Sequence, residues 1–281
     1  MITKITIKMT QNIMQIGQVS WTNKDIQNSL TTFVKLLQNK PFQDNDGGMK
    51  APHLFATWFL IKQIKPKFII ESGVWKGLGT WLIAQAAPDA QIICIEPYPD
   101  RIIYRPTNTS YQTIDFTETD WSTKNIDFQN TLLFFDDHQN CFERLKLAKK
   151  FGFRHLIFED NYPASRGDCY SLKKAFMYAG FTQARPKTYG RYEQLKALLF
   201  PPKVEKIPKN KEDEAYLIKN CEIYYEFPPI FKTSKTRWED EWEAEKYPSP
   251  NAIIDKIEDE ILQIFEDEAQ FYTWLCYCKC L

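Results

Sequence analysis

The stretch FIIESGVWKGLGTWLIAQAAPDAQIICIEP, residues 68 to 97, decides the fold of this chain. It begins with an apolar run, passes through a turn that contains three glycines, and continues as a helical pattern that Pro88 ends. A second apolar run then leads to Glu96. This order predicts a strand, a helix and a second strand, joined in the right-handed crossover unit of a parallel sheet.

The glycine turn indicates which ligands such a unit could bind. Ligands of parallel sheets lie beyond the carboxyl ends of the strands, where Glu71, the glycines and Glu96 would gather. The spacing E-x-G-x-x-x-G-x-G does not match the dinucleotide fingerprint G-x-G-x-x-G. One of the two carboxylates suits an amino group, and the other suits a ribose diol. An ordinary tight turn in another doubly wound fold is the alternative.

These residues resemble the first motif and the second-strand acid of the class I S-adenosylmethionine-dependent methyltransferases. The resemblance implies an α/β, Rossmann-like methyltransferase fold, with a mostly parallel seven-stranded sheet and an antiparallel terminal strand. It also implies S-adenosylmethionine as the cofactor. The cofactor-binding residues that it implies are Glu71, Gly73, Gly77, Gly79, Glu96 and, at the end of the third strand, Asp115. A solvated turn aspartate is the alternative for Asp115.

Groups of oxygen donors follow the next two predicted strands. TLLFF ends before Asp136, Asp137 and His138, and HLIF ends before Glu159, Asp160 and Asn161. Carboxylates at one edge of a sheet repel each other unless they are protonated or bound to a cation. We therefore expect a hard divalent ion, Mg²⁺ first and Mn²⁺ or Ca²⁺ next. The alternative is that these side chains only cap helices and turns.

The same groups resemble those of metal-dependent O-methyltransferases of the catechol and caffeoyl-CoA types, and those of cephalosporin hydroxylase-like proteins. The first carry Asp-His after the fourth strand and Asp-Asn after the fifth, and the second use an Asp with a Glu-Asp pair. The resemblance implies a metal site of Asp137, Glu159, Asp160 and Asn161, with Asp137 and His138 as catalytic residues. Catechol-type enzymes place a lysine base shortly after the Asp-His, whereas this chain continues QNC. A packed structural histidine is the alternative for His138.

Composition narrows the class of partner. The 281 residues are 43 % hydrophobic, which supports a full core, and the 36 acidic and 36 basic residues balance. No general attraction to nucleic acid or to an anionic membrane follows, so we expect a small-molecule acceptor. The sequence has no signal-peptide pattern and no apolar run near the roughly 18 residues of a membrane span, so a cytoplasmic location is expected.

The seven cysteines form no C-x-x-C pair. Their odd number and scattered positions argue against a disulfide framework and against a zinc site. Cys276, Cys278 and Cys280 alternate along FYTWLCYCKCL, so we expect them to pack on one face of a terminal strand.

The chain divides into four predicted segments: an arm and helix at 1–45, the methyltransferase-like core at 46–183, a charged insertion at 184–270, and the terminal strand at 271–281. Within the insertion, NAIIDKIEDEILQIFEDEAQ predicts a long amphipathic helix. The insertion is expected to shape the substrate pocket or a dimer contact, so a homo-oligomer stays open. In the core, PFQDNDGGMKAPH is either a linker or a lid. A helix is predicted from 169 to 179, and Arg166 and Asp168 either hold a substrate or form a structural ion pair.

The sequence thus favours divalent-metal-dependent and S-adenosylmethionine-dependent methyl transfer to an oxygen of a small molecule. Two alternatives stay open. One is a hydroxylase-like or hydrolytic metal enzyme on the same fold, in which the ion activates water. The other is a binding or assembly protein that keeps the sheet without the chemistry.

Overall fold

A nine-stranded sheet forms the centre of the computed structural model, which describes residues 7–10, 13–182 and 206–281. Its strands are β1 (Ile7–Thr10), β2 (Ile13–Ile16), β3 (Phe68–Ser72), β4 (Gln91–Ile95), β5 (Thr109–Gln112), β6 (Thr131–Phe135), β7 (His155–Phe158), β10 (Cys221–Glu226) and β11 (Cys276–Cys280). A separate hairpin pairs β8 (Phe181–Thr182) with β9 (Lys206–Ile207).

The strand order is β1-β2-β10-β11-β7-β6-β3-β4-β5. The five strands from β7 to β5 run parallel, and β11, β10, β2 and β1 pair antiparallel. From β3 the chain builds outward to β4 and β5, then returns to the other side of β3 for β6 and β7. The two directions diverge between β3 and β6, which is where a doubly wound sheet opens a ligand crevice.

Helices cover both faces of the sheet. They are α1 (Asn23–Leu37), α2 (Ala51–Ile64), α3 (Leu78–Ala86), α4 (Cys141–Phe151), α5 (Leu172–Phe176), α6 (Lys211–Asn220) and α7 (Ile264–Asp267). Neighbouring residues of one strand serve opposite cores, because side chains alternate across a sheet. Ile69 packs with α1, α2 and α3, and Ile70 packs with α4 and α5. Within the described residues, no helix combines the length and the apolar character that crossing a bilayer requires.

The α/β class, the parallel core and the antiparallel terminal strand are confirmed. The sheet has two strands more than the predicted seven, because β1 and β2 form an N-terminal hairpin that joins it. An extended arm was expected in this region. The cysteines of β11 also follow the prediction. Cys276, Cys278 and Cys280 are buried on the face of α4 and α5, and Tyr277 between them lies on the other face.

The prediction of a long amphipathic helix at 251–270 is wrong. This segment contains a 3-10 turn at Glu260–Leu262, the single turn of α7, and a second 3-10 turn at Ala269–Phe271. Its first part is held extended, because the N–H groups of Ile253 and Ile254 donate to the carbonyls of Pro229 and Ile230 at 3.0 Å each. The apolar pattern therefore reflects packing of an irregular segment against α1 and α2. The helix predicted from 169 to 179 shortens to α5. Residues 183–205, which include the start of the insertion predicted at 184–270, lie outside the described residues.

A buried ion pair joins the two halves of the sheet. The Lys173 ammonium on α5 donates to both Glu226 oxygens on β10, at 2.7 and 2.6 Å, and the two side chains are 3 % and 2 % exposed. Tyr224 donates a further hydrogen bond of 2.9 Å to Glu226. The pair ties the antiparallel strands to a helix that follows the parallel ones.

Lys173→Met should lower the free energy of unfolding by about 3 to 5 kcal/mol, because it leaves Glu226 as a buried charge without a partner. Urea unfolding measures this loss. Lys146→Met is the matched control, since the Lys146–Glu143 pair lies on the surface of α4 and should change the value by less than about 1 kcal/mol. Equal effects of the two substitutions would contradict the structural role of the buried pair.

Candidate active site

The turn after β3 requires glycine at two positions. Gly73 has φ of +93°, and a Cβ placed on it would lie 2.1 Å from the carbonyl oxygen of Asp136. Gly77, the N-cap of α3, has φ of +95°, and its Cβ would lie 2.3 Å from the carbonyl oxygen of Tyr104. Only a residue without a side chain fits either contact. Gly73 therefore brings the end of β3 against the backbone that follows β6.

Glu96 holds this turn in shape. Its Oε2 accepts hydrogen bonds from the N–H groups of Val74 at 3.2 Å and Trp75 at 3.0 Å, and its Oε1 accepts from Tyr98 N–H at 2.9 Å. A carboxylate offers about four acceptor positions, so about one is left for a ligand. Glu96 thus lies where the sequence predicted, at the end of β4, and is largely engaged by the protein itself.

Glu71 lies beneath the turn and does not line a cavity among the described residues. It is 1 % exposed, and its Oε2 accepts from the Thr80 hydroxyl at 2.6 Å. A Cβ on Gly79 would come within 2.9 Å of its Oε1. Burial raises the pKa of Glu71 to about 7. The structure therefore places Glu71 and Gly79 in the packing between β3 and α3, and not beside the predicted cofactor.

Arg144 on α4 engages two of the predicted site acids. Its guanidinium donates two bonds of 2.7 Å to Asp115 and one of 2.7 Å to Asp137. Asp115 also accepts from the N–H and the hydroxyl of Thr117, and these bonds hold its pKa below the ordinary value against the effect of burial. These four bonds use most of the acceptor positions of Asp115, although the residue lines a cavity over the glycine turn, where its cofactor contact was predicted.

Asp137, predicted as a catalytic and metal-binding residue, is largely engaged by the protein itself. Its Oδ2 accepts from Arg144 and, at 2.7 Å, from the Ser72 hydroxyl, and its Oδ1 accepts from Gln139 N–H at 3.2 Å. A carboxylate paired with a buried guanidinium is already neutralised. Asp137 lines the smaller of two cavities at this edge, and the preceding residue, Asp136, lines both.

Asn161 does not join the predicted metal site. Its amide nitrogen donates to the Tyr224 hydroxyl at 2.9 Å and to the Trp274 carbonyl at 3.1 Å, and its oxygen accepts from Lys173 N–H at 2.9 Å. The side chain is fully buried. Both ends of the amide are used to connect β7 with β10, β11 and α5, so its role is structural.

Glu159 pairs with His53 of α2. The His53 Nε2 lies against the Phe271 carbonyl, and its Nδ1 lies against the Glu159 carboxyl. Burial lowers the pKa of His53 to about 4 and raises the pKa of Glu159 well above its ordinary value. A neutral imidazole that donates from Nε2 must accept at Nδ1, which a protonated carboxyl can satisfy. The pair is therefore a neutral acid and a neutral base, buried at the cavity floor.

His138, Asp160 and Asp168 form the group suited to a cation. The His138 Nδ1 lies 2.8 Å from an oxygen of Asp160 and 3.1 Å from one of Asp168, and one donor atom from each residue falls within 4.8 Å of the others. Hydrogen bonds to both carboxylates raise the pKa of His138. The imidazolium balances the two acids, and an incoming ion would replace its proton. Arg166, by contrast, pairs with Asp240 and Tyr247, so it takes the structural alternative.

Two cavities meet at this edge of the sheet. The smaller, about 340 Å³, opens over the glycine turn and is lined by Gly73, Trp75, Glu96, Tyr98 and Arg101 among others. The larger, about 510 Å³, contains the His138 group together with His53 and Glu159. Four residues line both: Gly47, Gly48, Asp136 and His138. The predicted residues that converge on this crevice are Gly73, Glu96, Asp115, Asp137, His138, Glu159 and Asp160.

The segment before α2 covers this crevice. Gly47 and Gly48 belong to both cavity walls, and the Trp75 indole donates to the Asp46 carbonyl at 3.0 Å. The Lys76 ammonium reaches the Asp44 carboxylate at 3.1 Å. These contacts favour a cover over the site and not a plain linker.

Two residues at the crevice have a left-handed backbone that non-glycine residues rarely adopt. Trp75 and His138 both have φ of +53°. Such conformations cost about 1 to 3 kcal/mol and are kept where the surrounding structure requires them. The contacts around Trp75 and His138 therefore hold both residues in this conformation.

Sequence reasoning missed Asp136, His53 and Arg144. Asp136 was part of the acidic run after β6, but the pattern did not show which of its acids faces the crevice. His53 lies in an apolar helix, where a histidine gives no separate signal. Arg144 lies on α4 among charged residues, and nothing in its spacing reveals two distant acidic partners.

The chain is similar to several solved structures. An apo structure of CmcI is 19 % identical over 42 % of this chain and 57 % of that chain, with a TM-score of 0.35. A structure of CmcI with Mg and SAM is 22 % identical over the same shares, with a TM-score of 0.33. An O-methyltransferase from Bacillus cereus in complex with SAH is 17 % identical over 50 % of this chain and 67 % of that chain, with a TM-score of 0.32.

No protein-family model and no curated protein matches the chain. The chain spans 57 % of the length of the two CmcI chains.

Glu71 should make the stability depend on pH. Between its ordinary pKa of 4.5 and about 7, the unfolded chain releases the Glu71 proton while the folded chain keeps it, so stability falls as the pH rises. The loss is up to about 3 kcal/mol, at about 1.4 kcal/mol per pH unit. The stability of the Glu71→Gln variant should lack this pH-dependent component. Urea unfolding of both proteins at about pH 4.5 and about pH 8 measures it, and parallel pH profiles would contradict the assignment.

Proposed function

We propose that this protein is an S-adenosylmethionine-dependent methyltransferase that uses a divalent metal ion and acts on an oxygen of a small molecule. The observation that carries the proposal is the pair of cavities with a shared wall at Gly47, Gly48, Asp136 and His138. Group transfer needs a donor and an acceptor bound side by side and aligned, and two adjoining cavities at the topological switch point meet that need.

The smaller cavity is suited to the nucleoside end of the cofactor. Gly73 leaves room for close approach to the backbone, and Glu96 keeps about one acceptor position for a ribose hydroxyl. The exposed ring of Tyr98 lies under the Arg101 guanidinium, with 4.5 Å between the Cζ and the ring centre, and offers a flat surface for a base. S-adenosylmethionine supplies a sulfonium-bound methyl group that is already electrophilic.

The larger cavity supplies the donors that fit a divalent ion. The residues that would hold it are His138, Asp160 and Asp168, with the Asp136 carboxyl beside them. Carboxylate oxygens suit Mg²⁺, and a histidine nitrogen extends the choice to Mn²⁺. A bound ion would lower the pKa of an acceptor hydroxyl and so favour its deprotonation. In catechol-type enzymes a lysine base serves this deprotonation, and this chain has no lysine shortly after His138.

The side chains around the acceptor have separate tasks in this proposal. His138 stands in the shared wall, where it would hold the ion beside the acceptor hydroxyl. The neutral pair of Glu159 and His53 holds the cavity floor without adding charge. Gly47 and Gly48 cover the junction and exclude water from it.

A hydroxylase-like or hydrolytic metal enzyme on the same fold is the second candidate, and the acid-rich larger cavity is the observation that favours it. Calorimetric titration of the purified protein with S-adenosylmethionine and with Mg²⁺ separates the candidates. The proposal expects binding of both ligands. Binding of Mg²⁺ alone would favour the metal enzyme, and binding of neither would favour a binding or assembly role.

Two variants should separate the two ligands. Glu96→Gln should weaken S-adenosylmethionine by about 1 to 3 kcal/mol through the loss of a charged acceptor, while Mg²⁺ binding stays unchanged. Asp160→Asn should weaken Mg²⁺ binding and leave S-adenosylmethionine binding unchanged, since it removes one carboxylate ligand. Glu118→Gln, on the exposed turn after Asp115, is the control. Unchanged cofactor affinity in Glu96→Gln would remove Glu96 from the site, and unchanged Mg²⁺ affinity in Asp160→Asn would remove the metal assignment.

A further inference from the structure

The larger cavity is lined by charged side chains of both signs. The acids that line it are Asp46, Asp136, Glu159, Asp160 and Asp168, and the bases are Lys50, Arg237 and the imidazolium of His138. His138 is already occupied by Asp160 and Asp168. Lys50 and Arg237 make no ion pair with any acid in the part of the chain that the structure describes. They are therefore the cations of this cavity that remain available to a ligand.

Lys50 and Arg237 lie together against one aromatic ring. The Lys50 ammonium is 5.7 Å from the centre of the Phe271 ring, and the Arg237 Cζ is 5.8 Å from the same centre. Arg237 also donates from Nη1 to the Tyr162 hydroxyl at 2.5 Å. A guanidinium has five N–H donors, so most of those of Arg237 stay free. Aromatic rings hold a cation in place without neutralising it.

Aromatic rings form part of the wall of the larger cavity, among them Tyr162, Trp238 and Phe271. Trp238 stacks on Tyr247 with 5.7 Å between ring centres and 14° between planes. It also stacks on Trp274 at 6.2 Å and 19°. Tyr162 is fixed by its contact with Gly167, where an added Cβ would lie 2.3 Å from the ring. Aromatic surfaces held in this way favour a flat apolar body between two polar ends.

We propose that the acceptor is a hydroxylated carboxylate with a planar apolar middle, and that Arg237, assisted by Lys50, binds its carboxylate. This inference rests on the proposed function and names the substrate class for the larger cavity. The charges also set the orientation. The carboxylates beside His138 repel an acceptor carboxylate, and Arg237 attracts it. The hydroxyl of the acceptor is therefore left facing Asp160, His138 and the shared wall.

The test compares two probes that differ in charge and little in shape: 4-hydroxybenzoate and 4-hydroxybenzamide. Calorimetry with wild-type protein and Mg²⁺, without cofactor, should show the carboxylate binding at least about tenfold more tightly than the amide. Arg237→Gln should weaken the carboxylate by about tenfold or more and the amide by less than about twofold. Lys50→Gln should give a smaller loss in the same direction, and Arg237→Lys should restore part of the affinity.

Arg105→Gln is the matched control. Arg105 also lies over a tyrosine ring and donates to a carbonyl, but it lies outside both cavities. Arg105→Gln should leave the affinities for both probes unchanged. Equal binding of the two probes by the wild type, absence of carboxylate binding, or equal weakening of both probes in Arg237→Gln would overturn the inference. Failure of S-adenosylmethionine to bind would remove the proposed methyl transfer while leaving the charge preference intact, so the two failures are distinguishable.

Discussion

The contact between the glycine turn after β3 and the backbone after β6 is the constraint on which the site depends. A single Cβ at Gly73 would collide with the Asp136 carbonyl, so the two strand ends approach as closely as a peptide backbone allows. This approach occurs at the point where the chain reverses its order of strands. The close approach of the two strand ends places the acidic segment after β6 in the walls of both the smaller and the larger cavity. The two cavities are adjacent because no side chain at Gly73 separates the two strand ends.

The acids at this edge of the sheet are neutralised in different ways, and each way corresponds to a different role. Asp115 and Asp137 share the Arg144 guanidinium, and Glu159 keeps its proton beside a neutral His53. Burying these groups is tolerable because each has a partner or carries no charge. Asp160 and Asp168 are balanced only by His138, whose proton can be exchanged for an ion. The permanently paired acids shape the crevice, and the exchangeable group is the one available for chemistry.

The C-terminal third of the chain completes the side of the crevice away from the glycine turn. Arg237, Trp238 and Phe271 reach the larger cavity from irregular segments, which are held by β10 and β11 and by the stacked aromatic rings. The parallel half of the sheet therefore builds the proposed cofactor side, and the antiparallel half positions the proposed acceptor side. Lys173 and Glu226 join the two halves through a buried pair, so the two sides of the crevice are fixed relative to each other.

The sequence by itself determined the class of fold, the glycine turn, the strand-end acids and the alternating cysteines of the last strand, because each of these follows from a short local pattern. It did not determine which acid of the run after β6 lines both cavities, nor the partners of Arg144 and His53, nor the irregular structure at 251–270. Only the tertiary structure decided these points. Asp136 and Asp137 have the same local chemistry, but after folding Asp137 pairs with Arg144, which is distant from the strand end, and Asp136 lines both cavities.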